Sequence, residues 1–259
     1  MRIRIGIATL AAAVALGATT AGAAPITWDL TSGGCSTSGS GYGNTRTCSG
    51  GSGNPSVTAS AWANTGGSSN TIIQDALLAT YSGGLGVTNR DISAGDWNED
   101  QSPEHAMDNI DRYDSVQFAF SQAIKLTGLE VGWIGDDSDI TVLAYTGAGS
   151  PALGGSTYGS LLSSGWTFIG HYANVGTGWE SINAGGVSAT YWLVGAYNPS
   201  IKSGDYSTSN DAVKIETLKG ERSGGGGSGN LPEPATMALF GAGALGLALR
   251  RRRTVTERA

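Results

Sequence analysis

Carboxylates crowd into one stretch of this 259-residue chain. Between Asp91 and Asp139 twelve acidic side chains stand against only Arg112 and Lys125. Hard oxygen donors at that density could hold Ca²⁺, which takes six to eight oxygens, some from backbone and water. Asp137 and Asp139, next to Asp136, are two residues apart, so an extended chain projects both to one face. Asp108 and Asp111 fall just before a predicted strand, on a loop whose carbonyls could complete a shell. Asp205 and Asp211 precede another predicted strand, Ala212–Leu218, in the same way. The EF-hand loop is absent, because its central glycine and final glutamate are missing. The competing reading makes these carboxylates turn formers and solvated surface, since Asp bonds its own backbone at loop ends.

Other chemistries find less support. A glycosidase needs two carboxyls straddling a sugar, a separation that sequence spacing does not set. Only His105 and His171 could serve as a histidine base. The chain has no Gly-x-Ser-x-Gly elbow and no His-Glu-x-x-His, and its glycine-rich stretches lack the lysine of a phosphate loop. The expectation is therefore a non-enzymatic protein. Among seven tryptophans and nine tyrosines, Trp97 lies in the acidic region and Trp166, Trp179 and Trp192 in later strands. Such rings can stack on sugars, although packing is their commoner use. A Ca²⁺-assisted carbohydrate-binding module is the alternative function, and a polysaccharide-active enzyme the third.

The elements that would carry these residues read as strands. Val116, Phe118 and Phe120 alternate with Gln117 and Ala119, Leu129, Val131 and Trp133 alternate similarly, and Val213, Ile215 and Thr217 oppose Lys214 and Glu216. Ile140–Tyr145, Trp166–Ala173 and Tyr191–Tyr197 are short β-branched or aromatic runs bounded by turn residues. Ile72–Tyr81 fits either a helix or a strand, and its neighbours favour strand. Many strands joined by turn-rich loops, without βα alternation, predict an all-β fold with a single antiparallel β-sandwich, jelly-roll-like, over 56–222. Residues 24–55 read as a Gly/Ser-rich loop segment pinned by Cys35 and Cys48, the only cysteines.

Both ends read as signals. Arg2 and Arg4, the apolar Ile5–Leu16 and Ala21-Gly22-Ala23 form the three parts of a secretory signal peptide, 1–23, for the Sec machinery. Export into an oxidising compartment predicts a Cys35–Cys48 disulfide, a closure of about 3 kcal/mol in the chain-entropy account. The absence of a neighbouring histidine argues against zinc. At the other end come a flexible linker, 223–230, then Pro232-Glu233-Pro234, the apolar run Ala235–Leu249, and Arg250, Arg251, Arg252 and Arg253. As a helix that run is roughly 22 Å long, short of a ~30 Å hydrocarbon core, with snorkelling arginines holding the cytoplasmic side of the inner membrane. Between the two ends, residues 24–230 carry eight basic and nineteen acidic residues, a net charge of −11. Such a surface repels nucleic acid and attracts cations.

Pro-Glu-Pro, short apolar helix and arginine cluster, in that order, resemble the PEP-CTERM sorting signal over 231–259. That resemblance implies recognition by an exosortase in a Gram-negative bacterium, processing near Pro232-Glu233-Pro234, and release to the cell surface or extracellular matrix. Ser102-Pro103-Glu104-His105-Ala106-Met107-Asp108-Asn109, Ser115–Phe120, Gly132–Tyr145 and Gly84-Leu85-Gly86-Val87 are similar to exosortase-dependent surface proteins. The implied role is a biofilm or exopolysaccharide-associated surface protein, and the resemblance carries no activity to transfer.

Overall fold

A computed structural model describes residues 24–91, 99 and 102–223 of the chain. Alternation builds its strands. Along Ser56–Gly66, Val57, Ala59, Ala61 and Ala63 turn inward and their neighbours outward, as the period of two requires. In chain order the strands are β1 Ile26–Asp29, β2 Ser36–Ser38, β3 Thr45–Ser49, β4 Ser56–Gly66, β5 Ile72–Asp75, β6 Leu77–Tyr81 and β7 Gly84–Thr88. Then follow β8 Met107–Asp108, β9 Asp114–Ile134, β10 Ile140–Tyr145, β11 Trp166–Tyr172, β12 Gly178–Ser181, β13 Ala189–Ala196 and β14 Ala212–Arg222. Every ladder between them is antiparallel.

β9 organises the molecule. Exposed Ser121, Gln122 and Ala123 divide its 21 residues into two halves. The first half lies between β4 and β13, and the second between β12 and β14. One layer is thus β11-β10-β13-β9-β4, with β3 and β5 along the far side of β4. The other is β12-β9-β14, with β1, β7 and β8 along the far side of β14 and β6 beyond β7. Val142, Val194, Val116 and Ala61 form one inward row across the first layer. They share a core with Leu126, Leu129, Val131, Ile215 and Leu218 of the second. Burying each large apolar side chain contributes about 1.5–3 kcal/mol. Trp28 joins the layers: its ring meets Phe120 edge-on at 4.9 Å, and its indole N–H donates to the Pro55 carbonyl at 2.7 Å. The antiparallel sandwich expected from the alternation is the fold observed.

Three expectations change in detail. Trp133 and Thr217 leave the faces assigned to them, because register shifts at Ile215, Thr217 and Gly220 mark bulges that reverse the alternation. Residues 31–54 are less loose than their composition suggests. β2 and β3 pair, β3 joins β4, and Thr47 and Thr58 hydroxyls bond at 2.9 Å, so side chains poor in apolar atoms still form a ladder. Cys35 and Cys48 are bridged across that hairpin. Ile72–Tyr81 divides into β5 and β6 rather than forming one strand, with the Ala76 N–H bonded to the Ala61 carbonyl at 2.9 Å between them.

The outer face of the first layer is also covered. A short 3-10 helix, Tyr158–Ser164, buries Tyr158 and Leu161 against Leu143, Leu193 and Ile201. The Tyr158 hydroxyl meets Ser115 Oγ at 2.7 Å. On the second layer, β7 runs so close beneath the 102–107 segment that a Cβ at Gly86 would collide with the His105 carbonyl. This approach fixes the segment that leads into Asp108.

Candidate metal centre

Two chain segments meet where β9 gives way to β10 and where β14 begins. Asp137 and Asp211 form an isolated parallel bridge. The Asp137 N–H donates to the Asn210 carbonyl at 3.1 Å, and the Ala212 N–H to the Asp137 carbonyl at 3.0 Å. This bridge brings the carboxylates of Asp137, Asp139 and Asp211 together, with a ligand oxygen of each within 4.8 Å of the others. Asp211 is completely buried and Asp139 nearly so, while Asp137 is half-buried.

Asn109 clamps the cluster. Its amide donates to Asp211 Oδ2 at 2.5 Å and to the Tyr197 carbonyl at 3.0 Å. Its Oδ1 accepts the Asn210 and Asp211 N–H groups at 3.0 and 2.9 Å. Asp211 Oδ1 accepts the Asp139 N–H at 2.7 Å, and Asp139 Oδ1 accepts the Asn174 N–H at 2.7 Å. Asp137 Oδ1 accepts the Ser138 N–H at 2.8 Å; its Oδ2 accepts the Ser207 hydroxyl at 2.6 Å and the Asn210 amide at 3.3 Å. The Asn210 Oδ1 is buried with no partner.

The charges strain against one another. Burial, with the charges of Asp139 and Asp137 beside it, pushes the Asp211 carboxyl up to about 6 despite the hydrogen bonds it accepts. Burial also raises Asp139. Asp137 is held low, first by the Ser207 hydroxyl and then by the Ser138 N–H and Asn210 amide. Nearby His171 is kept below its usual value by burial, its ring between Thr141 Oγ1 and the Lys202 carbonyl, both at 2.9 Å. The metal-ligating atoms gathered here are all carboxylate oxygens, without sulfur or imidazole. Hard donors of this kind suit Ca²⁺ or Mg²⁺ and not Zn²⁺.

Of the residues singled out from sequence, the fold brings together Asp137 and Asp139. Asp136 is exposed next to them. Asp111 is exposed on a left-handed turn, φ 57°. Asp108 is buried on β8 in a different acidic group. The third carboxylate, Asp211, showed in the sequence only as an acid preceding a strand. The clamp Asn109 and the donors Ser207 and Asn210 carried no signal by type or spacing. Trp166 and Trp192 are core, whereas Trp179 is 50% exposed on β12.

The leader 1–23, the linker from residue 224, Trp97, Pro232, Glu233, Pro234, the 235–249 run and Arg250–Arg253 lie outside the described residues. Among the described residues no helix is long and apolar enough to cross a membrane. The family model of the PEP-CTERM protein-sorting motif matches residues 230–253. The sandwich lies outside that match, and no curated protein or solved structure matches the chain. A clamped trio of carboxylates thus sits in a β-sandwich whose C-terminal stretch carries a PEP-CTERM protein-sorting motif, the mark of an exosortase-targeted protein exported to the envelope or surface of a Gram-negative bacterium.

Proposed function

We propose that the protein serves without catalysis in the cell-surface or extracellular matrix, in contact with exopolysaccharide, and that Ca²⁺ at Asp137, Asp139 and Asp211 rigidifies its sandwich. The observation that carries the reading is the trio itself: three carboxylates within 4.8 Å, two of them buried. Three negative charges this close, two of them buried, repel unless a proton or cation offsets them. Extracellular modules of this kind bind Ca²⁺ at about 10⁻⁴–10⁻³ M. Sec export and exosortase removal of 231–259 deliver the protein to this setting.

The test is thermal unfolding of the purified full chain in millimolar Ca²⁺ and in chelator. At about 10 mM Ca²⁺, roughly ten to a hundred times that Kd, binding stabilises by about 1.4–2.7 kcal/mol, so the midpoint should rise by several degrees. Equal midpoints would refute the Ca²⁺ assignment. Mass spectrometry of the protein released by its host checks processing, and an intact 231–259 tail would refute removal.

A second reading, a Ca²⁺-assisted carbohydrate-binding module, draws on Trp179, 50% exposed, and Tyr42, 46% exposed. Binding to the producer's own exopolysaccharide, with and without Ca²⁺, separates it from the first. A Ca²⁺-dependent association lost in Trp179→Ala favours the module.

A further inference from the structure

The outer face of the second layer carries an exposed aromatic ring among polar side chains. Leu129, Leu218 and Trp28 turn into the core, so Glu130, Thr217 and Asp29 beside them on β9, β14 and β1 turn outward. The register sets these three in one row with Trp179 of β12: Trp179 pairs with Glu130, Glu130 with Thr217, and Thr217 with Asp29. Three strand spacings make the row roughly 14 Å long. In the adjoining row Gly128 pairs with Lys219. A Cβ at Gly128 would lie 3.7 Å from Trp179 Cε3 and 3.8 Å from Lys219 Cβ. The bare glycine therefore lets the indole lean in toward the sheet. Lys219 Nζ stands 5.7 Å from the ring centroid, within cation–π reach. Trp179 nevertheless stays 50% exposed. At the far end of the row Asp29 is fixed, because its Oδ1 accepts the Thr31 N–H at 2.9 Å, the Thr31 hydroxyl at 2.8 Å and the Ser32 N–H at 3.0 Å. All three bonds fall on one oxygen.

We propose that this face binds a neutral polysaccharide, with one sugar ring stacked on Trp179 and the polymer running along the row toward Asp29. The inference rests on the carbohydrate-binding reading and narrows it to a place and a polymer class. A pyranose has apolar C–H faces and a rim of hydroxyls. The indole offers an apolar partner for the first, while Glu130, Asp29, Thr217 and Lys219 supply acceptors and donors for the second. Glu130 and Asp29 outnumber Lys219 here, on a strongly acidic segment, so a polyuronate or a phosphate-bearing polymer is repelled. A ring held beside Lys219 and a carboxylate fixed by backbone N–H groups also lose little freedom on binding.

Calorimetric titration of the purified full chain in Ca²⁺ decides it. The probes are hexasaccharides of β-linked glucose, mannose and N-acetylglucosamine, with an alginate hexasaccharide as the anionic one. A neutral probe should bind and alginate should not. Trp179→Ala should weaken that binding by about tenfold or more, and Glu130→Ala by about threefold. Tyr42→Ala removes the other exposed ring, which lies 4.2 Å under the Arg90 guanidinium, and should leave affinity unchanged. Binding, to a probe or to the producer's exopolysaccharide, that Trp179→Ala leaves intact overturns this site while the carbohydrate-binding reading stands. Tighter binding of alginate than of any neutral probe overturns the polymer class. A chain that binds neither the probes nor the exopolysaccharide overturns both the site and the reading beneath it. Should Trp179→Ala fail to fold, Glu130→Ala takes its place, and undiminished affinity there is the overturning result.

Discussion

The two ends of the sandwich are held together by different forces. At one end the Cys35–Cys48 bridge closes the β2–β3 hairpin. The same end has Trp28 bonded to Pro55, Ile26 paired with Gly220, and Arg222 bonded to the Gly53 carbonyl and to Asn54 Oδ1. At the other end, where β14 begins, Asp137, Asp139 and Asp211 converge on Asn109. The length of β14, roughly 30 Å of extended chain, separates them. A covalent bridge restricts the unfolded chain whatever the solvent contains. Carboxylates held together answer to pH and to cations. The molecule is thus closed at one end by a covalent bond and at the other by converging carboxylates.

Asp211→Ala should show the contrast most strongly. It strands the Asp139 N–H and the Asn109 amide, each a buried donor worth about 1–3 kcal/mol, for a total near ~4 kcal/mol. It should also abolish stabilisation by Ca²⁺ at this end. Denaturant unfolding measures both, and a loss below about 1 kcal/mol would mean that Asn109 does not clamp through Asp211. Replacing Cys35 and Cys48 by serine comes next, at about 3 kcal/mol, with the Ca²⁺-induced shift unchanged. If that shift vanished with the bridge, the two ends would not be independent. Combined with Asp211→Ala the costs should add to within about 0.5 kcal/mol, as for distant sites.

The pH response is smaller. In chelator, Asp211 titrates near 6 folded, above its unfolded value of roughly 3.9. Its stabilisation is therefore complete below the unfolded value and is lost as pH rises through 6. Asp139, also raised, acts with the same sign. Asp137 acts oppositely, losing its contribution only as pH falls through its lowered folded value, and so does His171, which burial keeps low. The melting midpoint in chelator should fall by a few degrees between pH 4.5 and 7, and Ca²⁺ should reverse that slope. A metal-free midpoint that climbs over this range contradicts the buried trio. Ser207→Ala is the mildest change, removing one exposed bond to Asp137 at about 0.5–1 kcal/mol. Its effect should be confined to the carboxylate end, read as weaker Ca²⁺ affinity in a calorimetric titration.

The stapled end was more legible than the carboxylate end, for a physical reason. Two cysteines in an exported chain have one partner each, and β4 alternates so strictly that Val57, Ala59, Ala61 and Ala63 announce a face. Asp137 and Asp139 were visible because a spacing of two is local. Asp211 is 72 residues from Asp139, and the isolated Asp137–Asp211 bridge at the start of β14 makes them neighbours. The bulges in the β9–β14 ladder were equally hidden: a single extra residue, Gly132 on β9 or Glu216 on β14, reverses the side chains beyond it, which is why Trp133 and Thr217 turned out on other faces. Hairpin β2–β3 was missed because serines and threonines in an edge ladder lack the apolar signature that periodicity detects.

Because β9 serves both layers, the order in which the chain becomes available shapes how it can fold. The second half of β9 pairs with β14 across 79 to 98 residues of sequence, from Val213 with Ile134 to Arg222 with Ile124. A chain delivered N-terminus first can complete the pairing of β9 only after its last described strand arrives. Non-local closure of this kind is slow, and it leaves strand edges open until the end. The second layer therefore closes last, once β14, the final strand before the sorting motif, is available to pair with β9.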